Sequence, residues 1–222
     1  LQQLMAKDKD AECRKLYNTI QRNAERILQL VNQLMDIRKI DKGQMSLIFK
    51  KAEIVSFTRN LLETFEQQTR IKKLDLKFHT SAPEIEMWID PKNFDKIILN
   101  LLSNTCKFTP ENGQVEISLN TGEDTSLPPN APLRRYVELT VTDSGIGIAS
   151  TEREHIFERF YQIRNSQNNS NVGTGIGLHL THSLVELHHG NIHVEDNGEG
   201  KPGSRFIIRL PLGNGHLKKE EI

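Results

Sequence analysis

Apolar residues recur at alternating steps of four and three between Ala11 and Ile40, which predicts a long amphipathic helix. The seam consists of Leu16, Ile20, Asn23, Ile27, Leu30, Leu34 and Ile37. A second row widens the apolar stripe and consists of Ala24, Leu28, Val31 and Met35. A stripe of this width is typical of a helix in a four-helix bundle. With Leu1–Met5 as the tail of a preceding helix and Lys7–Asp10 as a connection, residues 1–43 predict part of a helical hairpin.

After Gly43 the pattern changes to short strands that alternate with amphipathic helices. The predicted strands are 46–50, 74–79, 85–90, 115–120, 136–143, 191–196 and 205–210. The predicted helices are 52–70, 90–107 and 175–189. Residues 121–135 predict a hairpin insertion, and the polar residues 165–171 predict a mobile lid. The fold class is therefore α/β, a two-layer sandwich of a mixed sheet and three helices over residues 44–213, followed by a linker at 214–222.

Charge and composition exclude several classes of protein. The 29 basic and 29 acidic residues cancel, so no overall basic field attracts nucleic acid or an anionic membrane. The two cysteines, Cys13 and Cys106, lack metal-ligand spacing and indicate a reduced, cytoplasmic setting. No apolar run approaches the roughly 18 residues that a membrane span needs. Because the chain begins with Leu1 and has no signal peptide, we expect an excised fragment, whose parent protein could be membrane-bound.

The helix after Asp90 carries a polar face opposite an apolar one. Its polar residues recur at steps of three or four and are Asn93, Lys96, Asn100, Asn104 and Lys107. The opposite face consists of Ile97, Ile98, Leu101 and Leu102. Such a polar stripe is normally a solvated surface, but asparagine is a poor helix former there. Carboxamide oxygens can bind a hard cation such as magnesium, and the nearby lysine can contact phosphate.

Two glycine-rich segments follow. The strand 136–143 ends in Asp143-Ser144-Gly145-Ile146-Gly147, where a carboxylate can accept a hydrogen bond from the exocyclic amine of adenine. A capped glycine turn explains the same pattern without a ligand. Gly173-Thr174-Gly175-Ile176-Gly177-Leu178 opens a helix and exposes backbone N–H groups that suit phosphate. This second segment lacks the Gly-Lys-Ser/Thr of a P-loop and the preceding strand of a dinucleotide fold.

The order of these segments resembles the ATPase superfamily shared by DNA gyrase, a mismatch-repair protein, a heat-shock chaperone and the histidine kinases (the GHKL superfamily). Within it, the chain resembles the sensor histidine kinases of two-component systems over essentially its whole length. Asn100–Thr109 resembles their N box, 143–147 and 173–177 their two glycine boxes, and Phe157–Tyr161 their F box. The tail after Leu210 resembles the junction to a receiver domain in hybrid sensors of Bacteroides type.

This resemblance implies a role for each matching residue. It implies that Asn104 is the magnesium ligand and that Asn100 assists at magnesium or phosphate. It also implies that Lys107 contacts phosphate. The catalytic set is Asn100, Asn104 and Lys107. The nucleotide-binding set is Asn104, Lys107, Asp143, Gly145, Gly147, Phe160, Gly173, Gly175, Gly177 and Leu178. Phe157 and Phe160 are expected to anchor the lid by packing. Where many relatives have arginine after the F box this chain has Gln162, so Arg159 or Arg164 is an alternative phosphate contact.

None of the eight histidines has the acidic neighbour and nearby proline of a phosphoacceptor, so we expect the acceptor upstream of this fragment. The adjacent His188 and His189 are expected to complement a helix dipole rather than to form a metal site. The resemblance implies ATP and Mg²⁺ as cofactors, and a homodimer, the acceptor histidine and a receiver domain as partners. It places the fragment on the cytoplasmic side of an inner-membrane sensor, without nucleic-acid or membrane contact. The alternative is a non-catalytic or serine-directed regulatory module of the same superfamily.

Overall fold

The computed structural model describes residues 11–163, 173–198 and 200–222, and it divides the chain into two compact units between Met45 and Ser46. The first unit contains helix α1 (Ala11–Asp41), which confirms the predicted long helix. Large apolar side chains are exposed along it, namely Leu16, Ile20, Ile27, Leu28, Val31, Leu34 and Met35. The predicted features at 1–5 and 7–10 lie outside the described residues.

The second unit contains seven strands and three α-helices among its described residues. The strands are β1 (Lys50–Glu53), β2 (Asp75–Thr80), β3 (Glu86–Ile89), β4 (Gln114–Glu123), β5 (Arg135–Asp143), β6 (Asn191–Asp196) and β7 (Ser204–Pro211). The helices are α2 (Ile54–Ile71), α3 (Pro91–Phe108) and α4 (Gly177–Leu187). In the ranges 11–163, 173–198 and 200–222, no helix has both the length and the apolar character needed to cross a bilayer.

A five-stranded mixed sheet has the order β2-β4-β5-β7-β6, with β2 parallel to β4 and the other pairs antiparallel. Alternate residues of β4 are buried, as are alternate residues of β5, because side chains on a strand point to opposite faces. These buried residues are Val115, Ile117, Leu119, Val137, Leu139 and Val141. The apolar side of α3 is also buried, so the expected sandwich of sheet and helices is confirmed.

The first predicted strand was misplaced. Residues 46–49 are not in a strand, and β1 instead pairs with β3 in a separate two-stranded antiparallel sheet. The boundary is set by Glu53, whose carboxylate accepts hydrogen bonds from the backbone N–H groups of Val55 and Ser56 and so caps α2. Burial alone would raise the pKa of Glu53, but hydrogen bonds from Ser56, Ile85 and Val55 outweigh it and lower the pKa to about 2.

Asp90 followed by Pro91 is a pattern typical of a helix start, and Asp90 does fix the start of α3. Its Oδ1 accepts the backbone N–H of Asn93 at 3.0 Å, and Pro91 occupies the first turn. Its Oδ2 accepts the backbone N–H of Ile48 at 2.9 Å. One buried carboxylate therefore caps the helix and also holds the chain that leads into β1.

The expectation that His188 complements a helix dipole is wrong. Its Nε2 accepts the backbone N–H of Asp90 at 3.2 Å, while Nδ1 donates to the carbonyl of Leu184 at 2.7 Å. Burial lowers the pKa of His188, and the hydrogen bond accepted at Nε2 requires the neutral imidazole. This histidine therefore ties the end of α4 to the start of α3 as a neutral side chain.

Two peripheral segments are ordered by backbone and side-chain contacts. In the insertion, Arg134 binds the Glu123 carboxylate at 3.0 Å and the carbonyls of Thr125 and Leu127 at 2.9 and 2.6 Å. At the carboxyl end, the carbonyl of Glu221 accepts the backbone N–H of Phe49 at 2.6 Å. The predicted linker at 214–222 therefore lies against the second unit, and its role as a linker stays a prediction.

Replacing Asp90 with alanine is expected to lower the free energy of unfolding by about 2 kcal/mol, because two backbone N–H groups lose their acceptor. Urea denaturation measures the change. Asp75→Ala removes a half-exposed carboxylate that pairs with Lys77 and provides the control, for which we expect a change within about 0.5 kcal/mol. Equal stability of Asp90→Ala and wild type would contradict the assigned role.

Candidate functional site

The polar face of α3 is largely shielded from solvent. Asn93 is 5 % exposed, and Lys96, Asn100, Asn104 and Lys107 are all half-buried. The Lys96 ammonium donates to Oδ1 of Asn93 at 3.1 Å. A solvated helix face would be exposed along its whole length, so other parts of the protein partly cover this face.

Asn100 connects α3 to α4. Its Nδ2 donates to the carbonyl of Gly177 at 3.3 Å and to Oγ1 of Thr181 at 3.4 Å. A Cβ on Gly177 would lie 3.6 Å from Oδ1 of Asn100. The predicted catalytic asparagine therefore also holds the glycine-rich start of α4 against α3.

The carboxyl-terminal half of the α3 polar face lies beside Gly173. A Cβ on Gly173 would lie only 3.2 Å from Nζ of Lys107, so the lysine ammonium is beside this backbone. Asn104 is one turn from Asn100, and the described residues provide no hydrogen bond to its side chain. The structure thus places Asn104, Lys107 and Gly173 in one region, as an anion and cation site would require.

Asp143 continues the buried row of β5. It follows Val137, Leu139 and Val141 at steps of two and therefore lies on the same face of the sheet, opposite Val115 of β4. The carboxylate is 5 % exposed. Burial raises the pKa of Asp143, while backbone hydrogen bonds from Gly145 and Ser204 act in the opposite direction.

Gly145 passes between this carboxylate and the end of α3. Its N–H donates to Oδ1 of Asp143 at 2.8 Å. A Cβ at this position would lie 2.7 Å from that Oδ1 and 2.7 Å from the carbonyl oxygen of Phe108. Only glycine fits here without displacement of the backbone.

Two neighbours of Asp143 were not predicted as site residues. The Asn197 carboxamide donates to the carbonyls of Asp143 and Pro202, both at 3.1 Å. A Cβ on Gly203 would lie 1.7 Å from the Asp143 carbonyl oxygen, and Gly147, with φ +73°, passes Gly203 closely. No local sequence pattern reveals this contact, because 60 residues of chain separate Asp143 from Gly203.

Gly175 is positioned by the F box. It has φ +67°, and its carbonyl accepts the backbone N–H of Phe160 at 2.9 Å. Phe160 is 60 % exposed, and its role as a lid anchor stays a prediction because the lid lies outside the described residues. Gln162 donates to the carbonyl of Gly173 at 3.1 Å. The predicted lid at 165–171 lies outside the described residues, as does Arg164.

The rest of the F box packs on α4. The Phe157 ring lies 5.4 Å from the ring of His182, and the Phe157 carbonyl is 3.0 Å from Nδ1 of His179. The Arg159 guanidinium is 3.3 Å from Nε2 of the same His179. Leu178 is half-buried in the first turn of α4. Phe157 thus packs against α4, and its role as a lid anchor stays a prediction.

Two distant segments therefore meet at α3: 143–147 at its carboxyl end, and 173–177 with the start of α4 along its polar face, next to Lys107 and Asn100. The site combines a buried acceptor at one end with a lysine, carboxamides and glycine backbone at the other. In the ranges 11–163, 173–198 and 200–222, no three His, Cys, Asp or Glu side chains form a metal-binding group. The donor set suits a cation held by carboxamide and phosphate oxygens.

The profile of the family described as "Histidine kinase-, DNA gyrase B-, and HSP90-like ATPase" matches residues 89–214, from the end of β3 to beyond β7. These residues contain α3, both glycine segments and Asp143. The chain belongs to this ATPase family.

Similar proteins are named histidine kinases. Sensor histidine kinase TmoS of Ectopseudomonas mendocina is 37 % identical over 198 residues, which are 89 % of this chain and 19 % of that protein. Hybrid signal transduction histidine kinase D of Dictyostelium discoideum is 34 % identical over 216 residues, 96 % of this chain and 14 % of that protein. The chain therefore spans less than a fifth of the length of these two relatives.

Among solved structures, full-length ShkA in complex with AMPPNP superimposes with a TM-score of 0.74 at 25 % identity. The match covers 95 % of this chain and 41 % of that chain. This likeness includes both units of the chain and is consistent with the fold described above.

Asp143→Asn is expected to lower affinity for ADP at least tenfold, because the amide presents a donor where the site needs an acceptor. It is not expected to lower the free energy of unfolding at pH 7, since the neutral amide avoids burial of a charge. Because the pKa of Asp143 is raised in the folded protein, protonation of this side chain favours folding. The resulting stabilisation is fully present below the pKa of the unfolded chain, about 3.9, and is lost as pH rises through the raised pKa of the folded protein.

We therefore expect Asp143→Asn to have a higher free energy of unfolding than wild type at pH 7. This difference should disappear on acidification toward pH 4. Calorimetric titration with ADP and urea unfolding at both pH values measure the two effects. The exposed Asp75→Asn is the matched control and should change neither. Undiminished ADP affinity in Asp143→Asn would exclude the carboxylate from base recognition.

Proposed function

We propose that this chain is the catalytic ATP-binding part of a two-component sensor histidine kinase. It binds ATP with magnesium and transfers the γ-phosphoryl group to a histidine of the same parent protein. The observation that supports this most strongly is the convergence on α3, where Phe108 meets Gly145 and Lys107 meets Gly173. A nucleotide lying along α3 would contact both glycine segments at once.

Asp143 gives the nucleotide its orientation. An ionised carboxylate only accepts hydrogen bonds, so it favours the exocyclic amine of adenine and disfavours the oxygen that guanine carries there. Gly145 and Gly147 allow the base to approach the backbone closely. The phosphates then extend along α3 toward Lys107, Gly173 and the start of α4.

We infer that Asn104 is the principal magnesium ligand and that Asn100 assists, while the amide nitrogen of Asn100 is hydrogen-bonded to α4. Bound magnesium would neutralise phosphate charge and keep water and phosphate oxygens as its other ligands. Lys107 adds a positive charge beside the same phosphates. The residues present thus fit a Mg–ATP complex, with Asn100 holding the glycine-rich wall.

The transfer is an in-line displacement. A neutral imidazole nitrogen attacks the γ-phosphorus, the bond to the bridging oxygen breaks, and ADP leaves as a phosphorus–nitrogen bond forms. Because imidazole is already nucleophilic, the protein contributes mainly positioning and charge neutralisation. ATP-hydrolysing members of the superfamily carry a glutamate near the position of Asn100, so we infer that hydrolysis by this chain is slow.

The acceptor histidine is not one of the eight in this sequence, because none has the acidic neighbour and proline that acceptors in this family share. We infer that the exposed apolar stripe of α1 pairs with helices of the parent protein and of a second copy. Each large side chain that it buries contributes about 1.5–3 kcal/mol. A receiver domain would take the phosphoryl group onward, and the parent protein would be an inner-membrane sensor with this part in the cytoplasm.

The alternative is a serine-directed or non-catalytic module with the same nucleotide site. To separate the three, the chain is incubated with γ-labelled ATP and the separately purified helical hairpin of the parent protein that carries the acceptor. We expect acid-labile phosphate on the hairpin and none on this chain. ATP hydrolysis without the hairpin should stay well below about 1 per second.

A hairpin with the acceptor histidine changed to glutamine is the control and should remain unlabelled. Acid-stable phosphate on a partner would favour the serine kinase, and nucleotide binding without any transfer would favour the non-catalytic module. Acid-labile phosphate on this chain itself would contradict the assignment of the acceptor to another part of the parent protein.

A further inference from the structure

Lys72, which follows the last residue of α2, contacts the carboxyl end of α3. Its half-buried side chain places Nζ 2.7 Å from the carbonyl oxygen of Cys106 and 3.2 Å from those of Lys107 and Thr109. All three N–H donors of an ammonium can thus be used at once. A lysine whose ammonium is solvated would not be held in a single conformation, because fixing its long side chain costs conformational entropy.

These carbonyls are the ones that an α-helix leaves without intrahelical partners. The last turn of a helix also carries the negative end of its dipole, which favours a cation there. Lys72 satisfies the carbonyls from outside the helix, from more than 30 residues earlier in the chain. The end of α3 is therefore fixed by a tertiary contact as well as by its own cap at Thr109.

The same turn of α3 forms one wall of the base end of the site. Phe108 lies between the residues whose carbonyls Lys72 binds, and its own carbonyl oxygen would be 2.7 Å from a Cβ on Gly145. The Gly145 N–H in turn donates to Asp143. A shift of this turn would therefore change the space available to Gly145 and the hydrogen bond that orients the carboxylate.

The backbone of Lys72 makes a second connection to this region. Its carbonyl accepts the N–H of Asn112 at 3.2 Å, in the loop that leads from α3 into β4. Two residues later, Gln114 exchanges hydrogen bonds with Ser144, to Oγ at 2.8 Å and from the Ser144 N–H at 3.0 Å. Lys72 therefore contacts both the last turn of α3, which meets Gly145, and the loop that leads to Gln114, which meets Ser144.

We propose that Lys72 is a positioning residue for the base-binding end of the nucleotide site, acting through the last turn of α3 on Gly145 and Asp143. This role rests on the proposed function, because it concerns the same site. Lys72 does not contact the nucleotide; it keeps the Phe108 carbonyl and the Gly145 backbone in the arrangement that leaves the Asp143 carboxylate ready to accept a hydrogen bond.

The test compares Lys72→Met, Lys72→Arg and Lys73→Met. Lys73 is the next residue and is exposed, and Lys73→Met removes the same charge as Lys72→Met, so Lys73→Met is the control. Affinity for ADP is measured by calorimetry at a temperature where thermal unfolding shows each variant to be folded. We expect Lys72→Met to bind ADP about tenfold more weakly, Lys72→Arg to recover most of that loss, and Lys73→Met to match wild type.

A second measurement separates positioning from a general loss of stability. Hydrogen exchange of the Gly145 amide should become faster in Lys72→Met, while the amide of Leu119 in the centre of β4 stays protected to the wild-type level. Equal acceleration at both amides, or unchanged ADP affinity in folded Lys72→Met, would overturn the proposal. Failure of the wild type to bind ADP would instead refute the proposed function.

Discussion

The close approach of Gly145 to the carboxyl end of α3 is the constraint on which the site depends. The Phe108 carbonyl and the Asp143 carboxylate leave no room for a side chain at this position. Because Gly145 lies two residues after Asp143, the last residue of β5, the end of the sheet is held against the end of α3 at this carboxylate. The other contacts extend from there, since α3 then presents Asn100 and Lys107 to the second glycine segment.

Burial of Asp143 shows that the site is not arranged for stability alone. A carboxylate that is 5 % exposed costs folding free energy at neutral pH, and its raised pKa expresses that cost. Hydrogen bonds from Gly145 and Ser204 offset only part of it. An acceptor that is poorly solvated in the free protein is well suited to a ligand that brings its own donor, so the cost is consistent with a binding role.

Features set by neighbours in the chain could be predicted from the sequence, whereas features set by distant contacts could not. The Asp90 cap, the alternation of β5 and the glycines around α4 depend on local backbone preferences, and their positions agree with the structure. Lys72 and Asn197 look like ordinary polar residues in the sequence, because Cys106 and Asp143, which they contact at the site, lie 34 and 54 residues away from them. The boundary between β1 and α2 was misplaced because Glu53, the last residue of β1, caps α2 and also accepts a hydrogen bond from the distant Ile85. His188 was misread because its burial beside Asp90 depends on tertiary packing.

A crystal structure of the chain with magnesium and a non-hydrolysable ATP analogue tests the central claim most directly. The account predicts the adenine amine within hydrogen-bonding distance of Asp143, the phosphates beside Lys107 and Gly173, and magnesium bound by Asn104. A nucleotide found elsewhere on the chain, with α3 and the two glycine segments making no contact to it, would contradict the account.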